Sequence, residues 1–163
     1  MQYKTCCFTG HRNIHKTEYA AIEKRLEREV TDLITQGVKY FYAGGALGFD
    51  TMAAKTVLKL RKTSFPGIKL ILVLPCIEQA DRWSEDNRKT YDIIRIQADE
   101  VIYTSWANHS GCMRKRNRKL VEESDVCVCY LSKSNGGTAY TVKYAEKRGL
   151  KIINLANTIS INP

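Results

Sequence analysis

The sequence has no apolar run approaching the ~20 residues that a membrane-spanning helix needs. Its first residues lead directly into the strand-like stretch YKTCCFTG, without the charged, apolar and cleavable regions of a signal peptide. These two absences argue against a membrane partner and favour a cytoplasmic protein.

The sequence also lacks the cysteine patterns of metal sites and disulfide scaffolds. Its six cysteines include no C-x-x-C pair, and no histidine stands at a metal-ligand spacing from a cysteine pair. Cys6, Cys7, Cys127 and Cys129 lie inside apolar strand-like runs, where cysteine behaves as a small hydrophobic residue. We therefore expect neither a bound metal nor native disulfides.

Two common nucleotide-binding motifs are missing as well. The first apolar run ends in Gly10-His11-Arg12 rather than in G-x-G-x-x-G, and no G-K-[ST] sequence occurs. Hydride transfer with a nicotinamide cofactor and NTP hydrolysis of the Walker type are therefore disfavoured.

What the sequence does contain is an excess of positive charge in an ordinary globular composition. Of 163 residues, 44% are apolar and 26% charged, and 26 basic residues against 17 acidic ones give a net charge of +9. This excess favours anionic partners, either a small phosphorylated ligand or nucleic acid. A run of basic residues is also typical of a solvated helix face. The densest cluster comprises Arg114, Lys115, Arg116, Arg118 and Lys119.

Apolar strand-like runs alternate with segments of helical period along the whole chain. We therefore predict an α/β fold, a Rossmann-like three-layer sandwich around a mostly parallel sheet of about six strands. The length fits one domain over residues 1–163. The predicted strands are Thr5–Thr9, Tyr40–Ala43, Ile68–Leu74, Glu100–Tyr103, Val126–Leu131 and Lys151–Leu155.

Five helices are predicted between these strands. The first has Tyr19, Ile22, Leu26, Val30, Leu33 and Ile34 on one face and ends near Gly37. The second follows Gly48 and runs to about Lys62, and the third begins near Gln79. The fourth covers about Cys112–Glu123, and the fifth follows Gly137 and ends at Gly149.

Glycine-rich loops follow several strands, at the edge where parallel sheets bind ligands. Glycine lets the backbone approach an anion closely, and a helix N-terminus presents free N–H groups to it. These features predict a phosphate-binding site, although glycines also simply make turns. The predicted binding residues are Gly10, Arg12, Gly44, Gly45, Gly48, Asp50, Thr51, Trp83, Arg116, Asn117, Gly136, Gly137, Thr138 and Thr141.

Several of these residues have a structural alternative. Arg12 suits a phosphate as a fork of donors, and His11 is either an acid/base or a ring that caps its loop. Asp50 would bond a ribose hydroxyl or cap a helix, and Glu78 is a site acid or a helix-start carboxylate. The catalytic candidates, if there is catalysis, are Glu78, Asp50 and His11. Trp83 is a core residue or a stacking platform.

The predicted fourth helix carries polar residues where its pattern is apolar. Asn117 shares a face with Met113, Leu120 and Val121, and a buried amide needs hydrogen-bond partners. Arg116 is one position round the helix and would point to the same cleft. Either a functional role or a bond to a neighbouring loop explains this break in the pattern.

The segments FTGHR, AGGALGFDTMAA, LPCIEQADRW, CMRKRN and SNGGTAYTVKYA together resemble the YpsA-like branch of the SLOG superfamily. The resemblance implies a Rossmann-like fold shared with the LOG proteins, which are similar to lysine decarboxylases, and with the DprA core. It further implies binding of nucleotides, nucleotide-derived ligands or nucleic acid, and self-association into a homo-oligomer.

One departure from the LOG pattern P-G-G-x-G-T-x-x-E concerns catalysis. When Gly136 and Gly137 are matched to its glycine pair, Lys143 stands at the glutamate that serves N-glycosidic cleavage. A lysine cannot supply that carboxylate, so whether the protein is an enzyme stays open.

The function that we expect is binding or sensing of a nucleotide-derived, phosphate-bearing small ligand at the strand ends. No cofactor beyond such a nucleotide is implied. The alternatives are a hydrolase that cleaves a nucleotide at its N-glycosidic or phosphoester bond, and single-stranded nucleic-acid binding like that of the DprA relatives.

Overall fold

The computed structural model describes residues 3–156, which alternate strictly between strand and helix. The strands are β1 (Thr5–Gly10), β2 (Tyr40–Ala43), β3 (Lys69–Leu74), β4 (Glu100–Tyr103), β5 (Val126–Tyr130) and β6 (Lys151–Asn154). The helices are α1 (Lys16–Thr35), α2 (Phe49–Thr63), α3 (Glu85–Gln97), α4 (Cys112–Glu122) and α5 (Gly137–Lys147). No helix of this part of the chain is long and apolar enough to cross a membrane.

The six strands form one sheet in the order β4-β3-β2-β1-β5-β6. Every neighbouring pair is parallel, and β1 and β5 are in register from Cys6 opposite Val126 to Gly10 opposite Tyr130. The predicted α/β class and its parallel sheet are therefore confirmed.

Alternate residues of the central strands pack into two separate cores, one on each face of the sheet. On the first face, Phe8 of β1 packs with the buried side of helices α1, α2 and α3. On the second face, Cys7 packs with α4 and α5, together with Cys127 and Cys129. The helices thus sandwich the sheet, and the four cysteines are buried within strands as predicted.

Helix α1 follows its predicted apolar face closely. Ile22, Leu26, Val30 and Leu33 are buried, and Gly37 adopts the left-handed φ of 110° that a helix stop favours. Tyr19 is the exception, because it remains exposed one turn before Ile22.

Helix α3 begins at Glu85, so the prediction of a start near Gln79 is wrong. Residues 77–83 form turns instead, with Asp81 N–H donating to the carbonyl of Glu78 and Trp83 N–H to that of Ala80. The helix starts only where the Ser84 hydroxyl accepts a hydrogen bond from Asn87 N–H at 3.2 Å. A serine in this position is a strong N-cap.

Gly10 provides a test of how tightly the end of β1 is packed. A Cβ atom at Gly10 would overlap the ring of Phe49, which is itself wedged against Phe8 and Tyr130. We expect Gly10→Ala to lower the free energy of unfolding by about 1–3 kcal/mol, the usual cost of overpacking a core. Urea unfolding measures this change.

Gly67→Ala is the matched control, because no atom lies within 4 Å of its added Cβ. That variant should be neutral or slightly stabilising, since alanine restricts the unfolded chain. Equal effects of the two substitutions would contradict the packing explanation.

Candidate functional site

A cavity of about 340 Å³ opens at the carboxyl edge of the sheet, beside β1 and β5. Here the strand order reverses, because the chain moves outward from β1 to β4 and then returns to the other side of β1 for β5. Ligands of open α/β sheets bind in such crevices. The lining consists of Thr9, Gly10, His11, Arg12, Ala46, Asp50, Met113, Arg116, Asn117, Asn135, Gly136, Gly137 and Thr138.

Arg116 is the buried cation of this cavity, with 4% of its surface exposed. Its Nη1 donates to the carbonyl oxygen of Gly44, and its Nε donates to Asn117 Oδ1 at 2.8 Å. Its Nη2 lies 3.4 Å from the sulfur of Met113. Burial lowers the pKa of the guanidinium, and the Asp50 carboxylate partly offsets this effect. The group stays charged at neutral pH.

Asp50 is the carboxylate of the same cavity and is also buried. Its Oδ2 accepts a hydrogen bond from Ala46 N–H at 3.2 Å. Desolvation raises the pKa of Asp50 from 3.8 to about 6, against the opposing effects of Arg116, this hydrogen bond and Arg12. Asp50 therefore exchanges its proton close to neutral pH.

The two buried charges meet at Gly44. A Cβ atom there would lie 2.7 Å from Nη1 of Arg116 and 2.9 Å from Oδ2 of Asp50. Any side chain at this position would therefore displace one charged group or the other.

The remaining predicted glycines of this loop are explained by packing. A Cβ atom at Gly48 would overlap the backbone of Arg12, and one at Gly45 would press on Leu74. Both residues also have positive φ, 71° at Gly45 and 78° at Gly48, which favours glycine. Gly44, Gly45 and Gly48 do not line the cavity themselves.

The loop before α5 is different, because its glycines face open space. A Cβ atom at Gly136 or Gly137 would meet nothing within 4 Å. Gly136 is the N-cap of α5 and no side chain caps the helix. The first N–H groups of the helix are therefore left for a partner outside it, and Gly137 and Thr138 are part of the cavity lining.

His11 joins the two loops that flank the cavity. Its Nε2 accepts a hydrogen bond from Ser132 N–H at 2.9 Å, and its ring meets Tyr130 edge to face. Burial and the charge of Lys133 lower the pKa of His11, so the neutral ring carries its proton on Nδ1. With Nε2 occupied, His11 has the loop-capping geometry rather than that of a free base.

Four of the predicted residues lie outside the cavity. The hydroxyl of Thr51 donates to the carbonyl of Ala46, and that of Thr141 donates to the carbonyl of Gly137. Trp83 packs edge to face on Tyr91, with ring centroids 5.3 Å apart. Glu78 accepts a hydrogen bond from Asn108 N–H at 2.9 Å, on another part of the sheet edge. Lys143 is exposed and is not part of the lining either.

Sequence reasoning missed Ala46 and Met113 as members of the site. Met113 precedes Arg116 and Asn117 by three and four positions on α4, so helical spacing places it on the same side. Ala46 contributes a backbone N–H to Asp50, and no side-chain pattern reports such a role.

The chain belongs to the YspA SLOG family, whose family model matches residues 6–160. It is 35% identical over 130 residues to a UPF0398 protein of Halalkalibacterium halodurans, covering 78% of this chain and 68% of that protein. A UPF0398 protein of Bacillus cereus is 29% identical over 156 residues, covering 90% and 84%. The predicted family is confirmed.

Solved structures with a similar fold include DNA processing protein A from Helicobacter pylori, described for its mode of binding single-stranded DNA. The TM-score is 0.66 at 18% identity, over 96% of this chain and 71% of that one. For DNA processing protein A (DprA) from Streptococcus pneumoniae the TM-score is 0.64 at 18% identity, over 92% and 49%. This chain therefore spans about half of the latter. The Rossmann-like fold is confirmed.

The raised pKa of Asp50 predicts how stability depends on pH. Because the folded-state pKa of about 6 exceeds the ordinary 3.8, the contribution of Asp50 to stability is complete below pH ~4 and is lost as pH rises through about 6. The loss amounts to about 3 kcal/mol. In Asp50→Asn this part of the pH dependence should disappear, as measured by urea unfolding between these pH values.

Asp81→Asn, which removes an exposed carboxylate, serves as the control and should keep the wild-type profile. A profile of Asp50→Asn parallel to that of the wild type would show that Asp50 does not titrate in this range.

Proposed function

We propose that the protein binds a nucleotide-derived, phosphate-bearing small ligand in the cavity beside β1 and β5. The observation that carries this proposal is the uncapped N-terminus of α5, which opens on the same cavity as the guanidinium groups of Arg12 and Arg116.

The positive groups converge on this space from three sides. Helix α5 supplies its free N–H groups and the positive end of its dipole. Arg116 supplies a charge that is already desolvated and oriented by its bonds to Gly44 and Asn117. Arg12 adds an exposed guanidinium at the rim. A phosphate group is the ligand that such an arrangement favours.

The size of the cavity favours a ligand larger than inorganic phosphate. Its volume of about 340 Å³ falls at the lower end of the roughly 300–1,000 Å³ typical of small-molecule sites. Asp50 lies on the opposite side of the phosphate donors in composition and charge, and its carboxylate suits a ribose hydroxyl donor. A nucleoside phosphate or a nucleotide derivative satisfies both groups.

The same geometry favours binding over turnover. Of the lining residues Asp50 is the one carboxylate, whereas cleavage of a glycosidic bond commonly uses two. Glu78, the other acidic candidate, is bonded to the loop at Asn108 outside the cavity. The hydrolase alternative therefore has less support than binding.

A thermal-shift screen of nucleotides, ADP-ribose and NAD at millimolar concentration tests the proposal. We expect at least one of them to raise the melting temperature, because a ligand that binds the folded state stabilises it. Arg12→Gln should then weaken its affinity by roughly 10- to 100-fold, the usual loss when a charge-assisted hydrogen bond is removed. Isothermal titration calorimetry measures this change.

Arg82→Gln is the matched control, because Arg82 is an exposed arginine outside the cavity, and this variant should bind like the wild type. The absence of any ligand-specific shift across the panel would contradict the proposal. Equal losses in both variants would reduce the role of Arg12 to general electrostatic attraction.

Single-stranded nucleic acid is a second candidate ligand. The chain carries a net charge of +9, and its fold is similar to that of the Helicobacter pylori protein described as binding single-stranded DNA. The predicted basic cluster is divided, however: Arg116 is buried, and Lys119 pairs with Glu123 at 2.8 Å. Arg114 and Lys115 are left as exposed cations of α4 next to the cavity.

If nucleic acid binds across α4, affinity for single-stranded DNA should fall steeply as salt rises. The double variant Arg114→Ala, Lys115→Ala should lower both the affinity and the salt slope, the slope by about two, one for each lost phosphate contact. Fluorescence anisotropy over a salt series measures both. Unchanged binding by the double variant would exclude these two side chains from the contact.

A further inference from the structure

A second concave surface lies on the same edge of the sheet, beyond the end of β4. This groove has a volume of about 710 Å³, and Tyr103, the loop 104–109, Ile77 and Lys115 line it. Trp106 stands in it with 87% of its surface exposed, while Tyr103 is 38% exposed. A tryptophan is rarely left this open without a binding partner.

Hydrogen bonds fix the loop that carries Trp106. At its start, Thr104 N–H donates to the carbonyl of Leu74 at 2.9 Å. At its end, Asn108 N–H donates to the carboxylate of Glu78 at 2.9 Å. The exposed indole therefore projects from a loop that is tied on both sides to the segment after β3, which lowers the entropy cost of binding.

The charge of the groove is positive. Its lining includes no aspartate or glutamate, and Lys115 is its cation. The lining also offers Thr104, Ser105 and Asn108 as hydrogen-bonding groups. An exposed aromatic surface beside a cation, without nearby acids in the lining, is the combination by which proteins bind single-stranded nucleic acid.

Helix α4 connects this groove to the cavity already described. Lys115 lines the groove, whereas the next residue, Arg116, lines the cavity. Arg114 is also exposed and lies over the ring of Tyr140, 4.7 Å from its centroid. Cations therefore continue across the first turns of α4, along which a phosphate backbone would run.

We propose that the groove binds single-stranded nucleic acid, with one base stacked on Trp106 and an adjoining phosphate on Lys115. This inference rests on the second candidate function and does not require that a small ligand occupy the cavity. It assigns to Trp106 a role that neither the fold nor the family implies.

The test is anisotropy of an end-labelled oligothymidylate about 12 nucleotides long, within the usual site size, added to the full chain at low salt. Trp106→Ala should weaken binding by roughly 5- to 100-fold, the loss expected from one base–aromatic stack. Trp106→Phe should retain most of the affinity because its ring can still stack. Ile96→Ala, which truncates an exposed apolar side chain of α3, is the control and should leave binding unchanged.

Lys115→Gln should reduce the salt slope by about one, as removal of a single phosphate contact does. Binding should also quench the emission of wild-type protein, and the quenching should be lost in Trp106→Ala. The other tryptophan, Trp83, is packed on Tyr91 and remains as the internal reference.

Each result bears on a different claim. If the oligonucleotide binds but Trp106→Ala matches the wild type, the stacking role is overturned while the second candidate function stands. If the wild type does not bind the oligonucleotide at low salt, both are overturned. Calorimetry of a mononucleotide with Arg12→Gln reports on the cavity separately, and the thermal transition of Trp106→Ala verifies that this exposed substitution leaves the fold intact.

Discussion

The candidate site depends on one constraint, the reversal of strand order beside β1 in a fully parallel sheet. Strands β1 and β5 are neighbours, so their carboxyl ends open on the same edge. The helices that follow them lie on opposite faces, α1 with the core around Phe8 and α5 with the core around Cys7. The chain therefore diverges above β1 and β5, and the cavity occupies the gap between the two loops.

Within that gap, the structure retains two charges in an environment that penalises both. Burial raises the pKa of Asp50 and lowers that of Arg116, and each charge partly offsets the effect on the other. Arg116 is further supported by a carbonyl and an amide oxygen, which compensates part of its desolvation. Gly44 leaves room for both groups, so a residue that contributes no side chain determines how close they come.

The alternation of strands and helices could be predicted because it rests on local patterns of two and 3.6 residues. The late start of α3 could not, since residues 79–83 carry no strong helix breaker and Ser84 competes only as a cap. The meeting of Arg12, Asp50 and Arg116 in one cavity follows from the predicted sheet edge. The packing roles of Gly44 and Gly48 depend on which atoms stand opposite in space, and the position of Glu78 depends on a loop thirty residues away.

Lys115 and Arg116 are consecutive residues of one helix, yet they belong to different concave surfaces. Helix α4 is held on the sheet by Leu120 and Val121 and moves as a rigid unit with them. A shift that draws Lys115 outward must also alter the bonds of Arg116 to Gly44. Occupancy of one surface would thus change the affinity of the other by a factor that is the same in both directions, which makes α4 the element of thermodynamic coupling between them.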